Sequence, residues 1–146
     1  MLSRWSCLVD SFAITLGIEA HKLINMIGHD GSAIKWPHRQ EPTNRQGFHI
    51  QELILVCYKL GYAVVQFDPH PMLAPAENEV GHVIHFNLGN IYDTTEGVFT
   101  GSVINGRHRH AVAWKNQKMV DPAGFVKEVW QFEIEDYWCV LPIQSR

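Results

Sequence analysis

Phe48-His49-Ile50-Gln51-Glu52-Leu53-Ile54-Leu55-Val56-Cys57-Tyr58-Lys59-Leu60-Gly61-Tyr62-Ala63-Val64-Val65-Gln66-Phe67 changes its period midway, and that change decides the fold class. From about Phe48 to Leu60 the apolar residues Ile50, Leu53, Ile54 and Cys57 recur at helical spacing, and Gly61 supplies a stop. From Tyr62 to Phe67 the chain is β-branched and aromatic, a strand cut off by Asp68-Pro69. Upstream the helical pattern repeats. Ser6 to Leu16 places Leu8, Val9, Phe12 and Leu16 together, with Ser6 as N-cap and Gly17 as stop; about Glu19 to Ile27 forms a shorter helix ending at Gly28. His29 to Asn44 and the Pro-rich Pro69 to Glu79 read as loops. Downstream the strand candidates are His82 to Phe86, Val98 to Ile104, His110 to Lys115, Gln117 to Asp121 and Tyr137 to Ile143. Helices first and strands second predict an α+β fold, N-terminal helices packed on an antiparallel β-sheet. A boundary near Gly61 would leave each half too small a core, so residues 1–146 form one domain.

Composition agrees with that size. Of 146 residues 46% are hydrophobic and 18% charged, which is too apolar for a disordered chain. Twelve basic against fifteen acidic side chains give a formal net charge of -3, so no basic field exists to hold a nucleic acid or an anionic membrane. Cys7, Cys57 and Cys139 are too few and odd in number for a disulfide framework, which places the chain in a reducing compartment. No apolar run reaches the roughly 18 residues of a membrane span. Asp10 interrupts what would be the core of a signal peptide, so a cytoplasmic protein is expected.

Two polar residues stand out in the downstream half. His110-Ala111-Val112-Ala113-Trp114-Lys115-Asn116-Gln117-Lys118-Met119-Val120-Asp121-Pro122 reads as two short strands around a polar turn. With Lys115-Asn116 as a two-residue loop, His110 faces Asp121 directly; a loop shifted by one residue pairs Asp121 with Val112 instead. In the first register the carboxylate accepts from one imidazole nitrogen and leaves the other as a base. The ordinary alternative is an exposed His and an Asp-Pro turn. Cys7 adds weight to the chemical reading, because a thiol in the first turn of a helix feels the positive end of the dipole, and a neighbouring imidazolium would lower its pKa further. Arg4, Ser6 and Asp10 put that helix start near the surface, whereas Cys57 and Cys139 lie in apolar surroundings and read as small core residues.

A Cys opening an N-terminal helix in "SCLVDSFAITLG", a helix running into a sheet in "GFHIQELILVCYKLGYAVV", and a His opening a strand with an Asp after the next in "HAVAWKNQKMVDPAG" together span most of the chain. This order resembles the papain-like cysteine peptidase fold, and within it the small bacteriocin-leader-processing domains and their single-domain relatives, often encoded by phages. The resemblance implies a thiol protease with a catalytic triad: Cys7 as nucleophile, His110 as base and acid, and Asp121 orienting the imidazole. It implies hydrolysis of an amide bond in a peptide or protein substrate through an acyl-enzyme, with no cofactor. The family's Gln ahead of the nucleophile is missing, since Met1 to Ser6 contain none. The oxyanion then falls to the Cys7 N–H with the Ser3 hydroxyl or another backbone group, and Trp5 and Ser6 are the remaining neighbours that could line the substrate site. The same features leave two alternatives: a non-catalytic module of this fold that binds a host or partner protein, and a transamidase with the same triad.

Other constellations carry less. No metal site is expected: His82 and His85 fall on opposite faces of a strand, only His108 and His110 share one, and no zinc spacing is present. His21, His29, His38, His49 and His70 read as solvated. Arg107-His108-Arg109-His110 reads as a solvated strand entry, the alternative being a segment that helps bind an acidic part of a substrate. The five tryptophans are too scattered for a base-stacking platform and belong to core or groove walls.

Overall fold

Helix α1, Cys7–Leu16, is the element around which the rest is arranged. In the computed structural model, which describes residues 1–32, 47–68, 91–103, 108–124, 126 and 132–143, it buries Val9, Phe12 and Ala13. Gly17 ends it in the left-handed region (φ 68°), where only a residue without a Cβ sits unstrained, and the N–H groups of Gly17 and Ile18 close onto Ile14 and Ala13. Ser6 occupies the cap position but makes no capping bond. Helix α2, Ala20–Ile27, follows after a short link, and α3 spans Ile50–Lys59. The start of α3 is held reciprocally: the His49 ring accepts from the Gln51 N–H at 3.1 Å, and Glu52 Oε1 accepts from the His49 N–H at 2.9 Å.

Five strands follow, β1 Tyr62–Phe67, β2 Glu96–Val103, β3 His108–Lys115, β4 Lys118–Val120 and β5 Glu133–Pro142. They form one antiparallel sheet in the order β1-β5-β2-β3-β4. The fold is therefore α+β, with α1, α2 and α3 on one face of the sheet and a single helical turn at residues 91–94 on the other. On that face Val9, Phe12, Leu23, Leu53, Val56 and Cys57 pack against Val98, Ala111 and Val140. The other face carries an aromatic cluster of Tyr92, Phe99, Trp114 and Tyr137, with ring centroids 4.6–6.5 Å apart. The expected strand at 82–86 lies outside the described residues. Strand β5 begins at Glu133, four positions before the expected Tyr137.

The 110–122 hairpin forms in the shifted register. Asn116 and Gln117 are the loop, both at positive φ (52° and 59°), and Lys115, Trp114 and Ala113 pair with Lys118, Met119 and Val120. That is the geometry of a type I′ turn, which suits the right-handed twist of a hairpin and accepts Asn readily. Lys115-Asn116 would have put a lysine in that conformation. Asp121 thus falls beyond the paired residues, on the side of Val112 rather than opposite His110. The face is unchanged, because moving a two-residue loop by one position moves each partner by two.

Two details bring α1 to the right place on β3. Lys115 Nζ donates to the carbonyls of Ile14 and Thr15 at 2.9 and 3.4 Å, capping the negative end of α1 at the far end of the strand. The eight residues from Cys7 to Thr15 rise about 12 Å, and the four from Ala111 to Lys115 about 13 Å. Fixing one end of the helix on Lys115 therefore brings its other end, Cys7, to Ala111.

Candidate active site

His110 and Asp121 meet. His110 Nε2 lies 2.8 Å from Asp121 Oδ1, and the two side chains are 8% and 1% exposed. The carboxylate is fixed from behind by the main chain, since Oδ1 also accepts from the Ala123 N–H at 2.8 Å and Oδ2 from the Val126 N–H at 2.7 Å. The turn begun by Pro122 supplies these donors, so the residue that ends the strand also anchors the acid. Phe132 stands edge-on to the imidazole, 6.1 Å between centroids at 90°. A carboxylate can only accept, so Nε2 carries the proton of this bond and donates it to Asp121. Nδ1 has no hydrogen bond to the described residues.

Cys7 and His110 line one groove of about 610 Å³, bounded by the start of α1 (Arg4, Trp5, Leu8), the start of α3 (Phe48 to Ile50) and the sheet (Thr100, Ala111, Trp138). Pairing with β4 covers only Ala113 to Lys115, which leaves the first residues of β3 to face the groove. Gly101, paired with His110, lets β5 bulge against this end: a Cβ there would lie 1.9 Å from the Glu133 carbonyl oxygen. The bulge carries Glu135 to Arg109 and lets Asp136 reach Gln66 Nε2 at 2.7 Å.

The electrostatics of Cys7 differ from the expectation. Burial pushes its thiol up, and this outweighs the lowering by the Ala111 and Leu8 N–H groups that face the sulfur; the Asp10 and Asp121 carboxylates add to the rise. The helix start lowers the pKa as foreseen, but desolvation is larger, so the resting group is a thiol. Cys57 and Cys139 are buried, and burial pushes Cys57 up to about 12 and Cys139 up as well.

The side chains expected to serve the oxyanion separate. Trp5 lines the groove, its indole N–H fixed on the Asp30 carbonyl at 3.0 Å. Ser6 turns away from it. It is 1% exposed, accepts from the Ser3 N–H at 2.9 Å, and lies 2.5 Å from Asp10 Oδ2, which leaves it no hydroxyl for a substrate. The Ser3 hydroxyl is buried without a partner and is not part of the groove lining. The donors that remain at the sulfur are main-chain N–H groups.

Two histidines that read as solvated hold structure instead. His49 caps α3, as described above. His29 Nε2 lies 2.5 Å from Glu52 Oε2, its Nδ1 accepts from the Gly31 N–H at 3.0 Å, and its ring stacks on Phe48 at 5.1 Å. The sequence signal for this was the spacing of His49 and Glu52, a capping box with histidine in place of Ser or Thr. His38, His70, His82 and His85 lie outside the described residues. Among the described residues no three His, Cys, Asp or Glu side chains are grouped to hold a metal ion, and no helix is long and apolar enough to cross a membrane. Compared with protein-family models, curated proteins and solved structures, the chain matches none.

Proposed function

We propose that this protein is a papain-like cysteine hydrolase that cleaves an amide bond through an acyl-enzyme on Cys7. The observation that carries the reading is the His110–Asp121 pair, almost sealed and braced by the main chain, whose histidine keeps one ring nitrogen without a hydrogen bond to the described residues and lines the same groove as Cys7. In the reaction His110 Nδ1 takes the Cys7 proton as the sulfur attacks the carbonyl carbon, a C–S bond forms, and the carbonyl electrons move onto oxygen. His110 then returns that proton to the amine as the C–N bond breaks. Water, deprotonated by the same nitrogen, attacks the thioester; the C–S bond breaks and the thiol is restored. A resting thiol suits this sequence, because the sulfur then has a proton to give as it attacks.

Main-chain N–H groups of the α1 start serve the oxyanion in this proposal, since Ser6 is committed to Asp10. In the resting protein the sulfur faces the Leu8 and Ala111 N–H groups, and in this proposal it engages the imidazole only with substrate bound. The test is acyl transfer from p-nitrophenyl acetate, followed by intact mass and peptide mapping. The expected result is one acetyl group on Cys7, absent in Cys7→Ala, with acylation slowed in His110→Ala. Acetylation that ignores both substitutions would overturn the reading. It would favour the second one, a binding module of this fold, which the raised thiol pKa and the missing oxyanion Gln support.

A further inference from the structure

The charges around the groove are unequal in one respect. Arg109 is answered by Glu135, and Asp136 by the Gln66 amide. Arg4 lies on the same groove, three residues before Cys7, is exposed, and has no acidic partner among the described residues. Its guanidinium rests over the Trp5 ring, 5.7 Å from the centroid. That platform is itself held: the Trp5 N–H is on Asp30, and Gly31 (φ 77°) leaves room for Trp5 and Phe48, where a Cβ would come within 2.7 Å of the Phe48 ring and 3.0 Å of the indole. A guanidinium held over an aromatic ring by its charge leaves its N–H donors unspent, and such a fork takes a carboxylate with two parallel hydrogen bonds.

We infer that Arg4 is a specificity-determining residue that binds a carboxylate on the substrate, so that the preferred substrates are acyl compounds carrying an acidic group beside the bond that is cleaved. The inference rests on the proposed thiol chemistry for its meaning, but its test does not require turnover. Iodoacetate and iodoacetamide alkylate the same thiolate, so the thiol pKa cancels in the ratio of their rates, and only the first carries a carboxylate. The ratio at Cys7, divided by the ratio for glutathione, measures attraction of an anion to the sulfur.

The expected result is a ratio above that of glutathione that falls about two- to five-fold in Arg4→Gln, the scale of one exposed ion pair, and also falls with added salt. Arg4→Lys keeps most of it. Arg109→Gln changes it little, because Arg109 is already paired. An unchanged ratio in Arg4→Gln, a loss in Arg4→Lys equal to that in Arg4→Gln, or an equal loss in Arg109→Gln overturns the inference. So does a Cys7 that neither reagent reaches, since a substrate carboxylate could not enter either. Loss of acyl transfer with the ratio intact would instead remove the hydrolase reading and leave Arg4 as an anion site.

Discussion

Among the described residues two histidine–carboxylate pairs are built from the same atoms, an imidazole Nε2 on a carboxylate oxygen, and they differ in what happens to the other nitrogen. In His29–Glu52 the Nδ1 accepts a main-chain N–H, the ring is stacked on Phe48, and the second carboxylate oxygen caps α3. Every polar atom of that pair is spent on tying the end of α2 to the start of α3. In His110–Asp121 the main-chain bonds fall on the carboxylate instead, and Nδ1 has no hydrogen bond to the described residues. The exposures run against intuition: the structural pair is about one-third exposed and the proposed catalytic pair almost sealed. On the proposed reading, the feature that separates the catalytic pair from the structural one is a ring nitrogen without a bond to the described residues, not access to water.

The comparison breaks first on chemistry. Replacing His110 with Ala should slow acetylation of Cys7 by about 10²- to 10⁴-fold, the usual weight of a positioned base. His29→Ala, which removes an even closer pair, should leave the rate within a few-fold at a temperature where the variant is folded. A stopped-flow record of p-nitrophenol release from the two variants decides between them. Equal losses would mean that both histidines act only by holding the fold.

Stability gives the next effect, and here the order of the pairs is set by buried donors. Asp121→Ala strands the Ala123 and Val126 N–H groups and should cost about 2–4 kcal/mol in urea unfolding, since each buried unsatisfied donor costs roughly 1–3 kcal/mol. Glu52→Ala loses a cap and a partly exposed contact and should cost about 1–2 kcal/mol. Asp121→Asn separates the two roles of the acid. It keeps one acceptor oxygen, so it should recover part of the stability while acetylation stays slow.

How much of this was legible beforehand follows from the range of the forces involved. The helices at 7–16, 20–27 and 50–59 and the strand at 62–67 were readable because local periodicity and glycine stops determine them. The face shared by His110 and Asp121 was readable as well, because parity survives a shift of the loop. The register was not. It turns on which two residues tolerate positive φ, and the Gln117 amide reaching the Asp93 carbonyl at 3.0 Å helps to hold the one chosen. Strand β5 was read too short because Glu133, Glu135 and Asp136 look like a solvated run, although the bulge at Gly101 makes strand of them by giving Glu135 and Asp136 partners. Ser6 was misplaced for a similar reason: its hydroxyl is committed to a buried carboxylate one turn along the same helix, a competition that spacing alone does not rank.

The smallest effect concerns Cys7 itself, and it sharpens the comparison by asking what holds the proton on the sulfur. Burial, opposed by the Ala111 and Leu8 N–H groups and assisted by the Asp10 and Asp121 carboxylates, raises the thiol, so the folded chain holds its proton where an unfolded thiol has lost it. The sign follows directly. Through and above the usual thiol value, near pH 8.5, the unfolded state releases protons that the native state retains, and stability falls as pH rises. Cys57 and Cys139, raised by burial as well, act in the same direction. The alkylation rate of Cys7 by iodoacetamide should therefore inflect above that of glutathione. Asp10→Asn removes one of the two carboxylates while leaving an oxygen to accept from Ser6, and should move the inflection down and raise the rate at pH 7.5 a few-fold. A profile that Asp10→Asn leaves in place would assign the whole rise to burial, and would place control of the thiol in the packing of α1 on β3 rather than in the acid beside it.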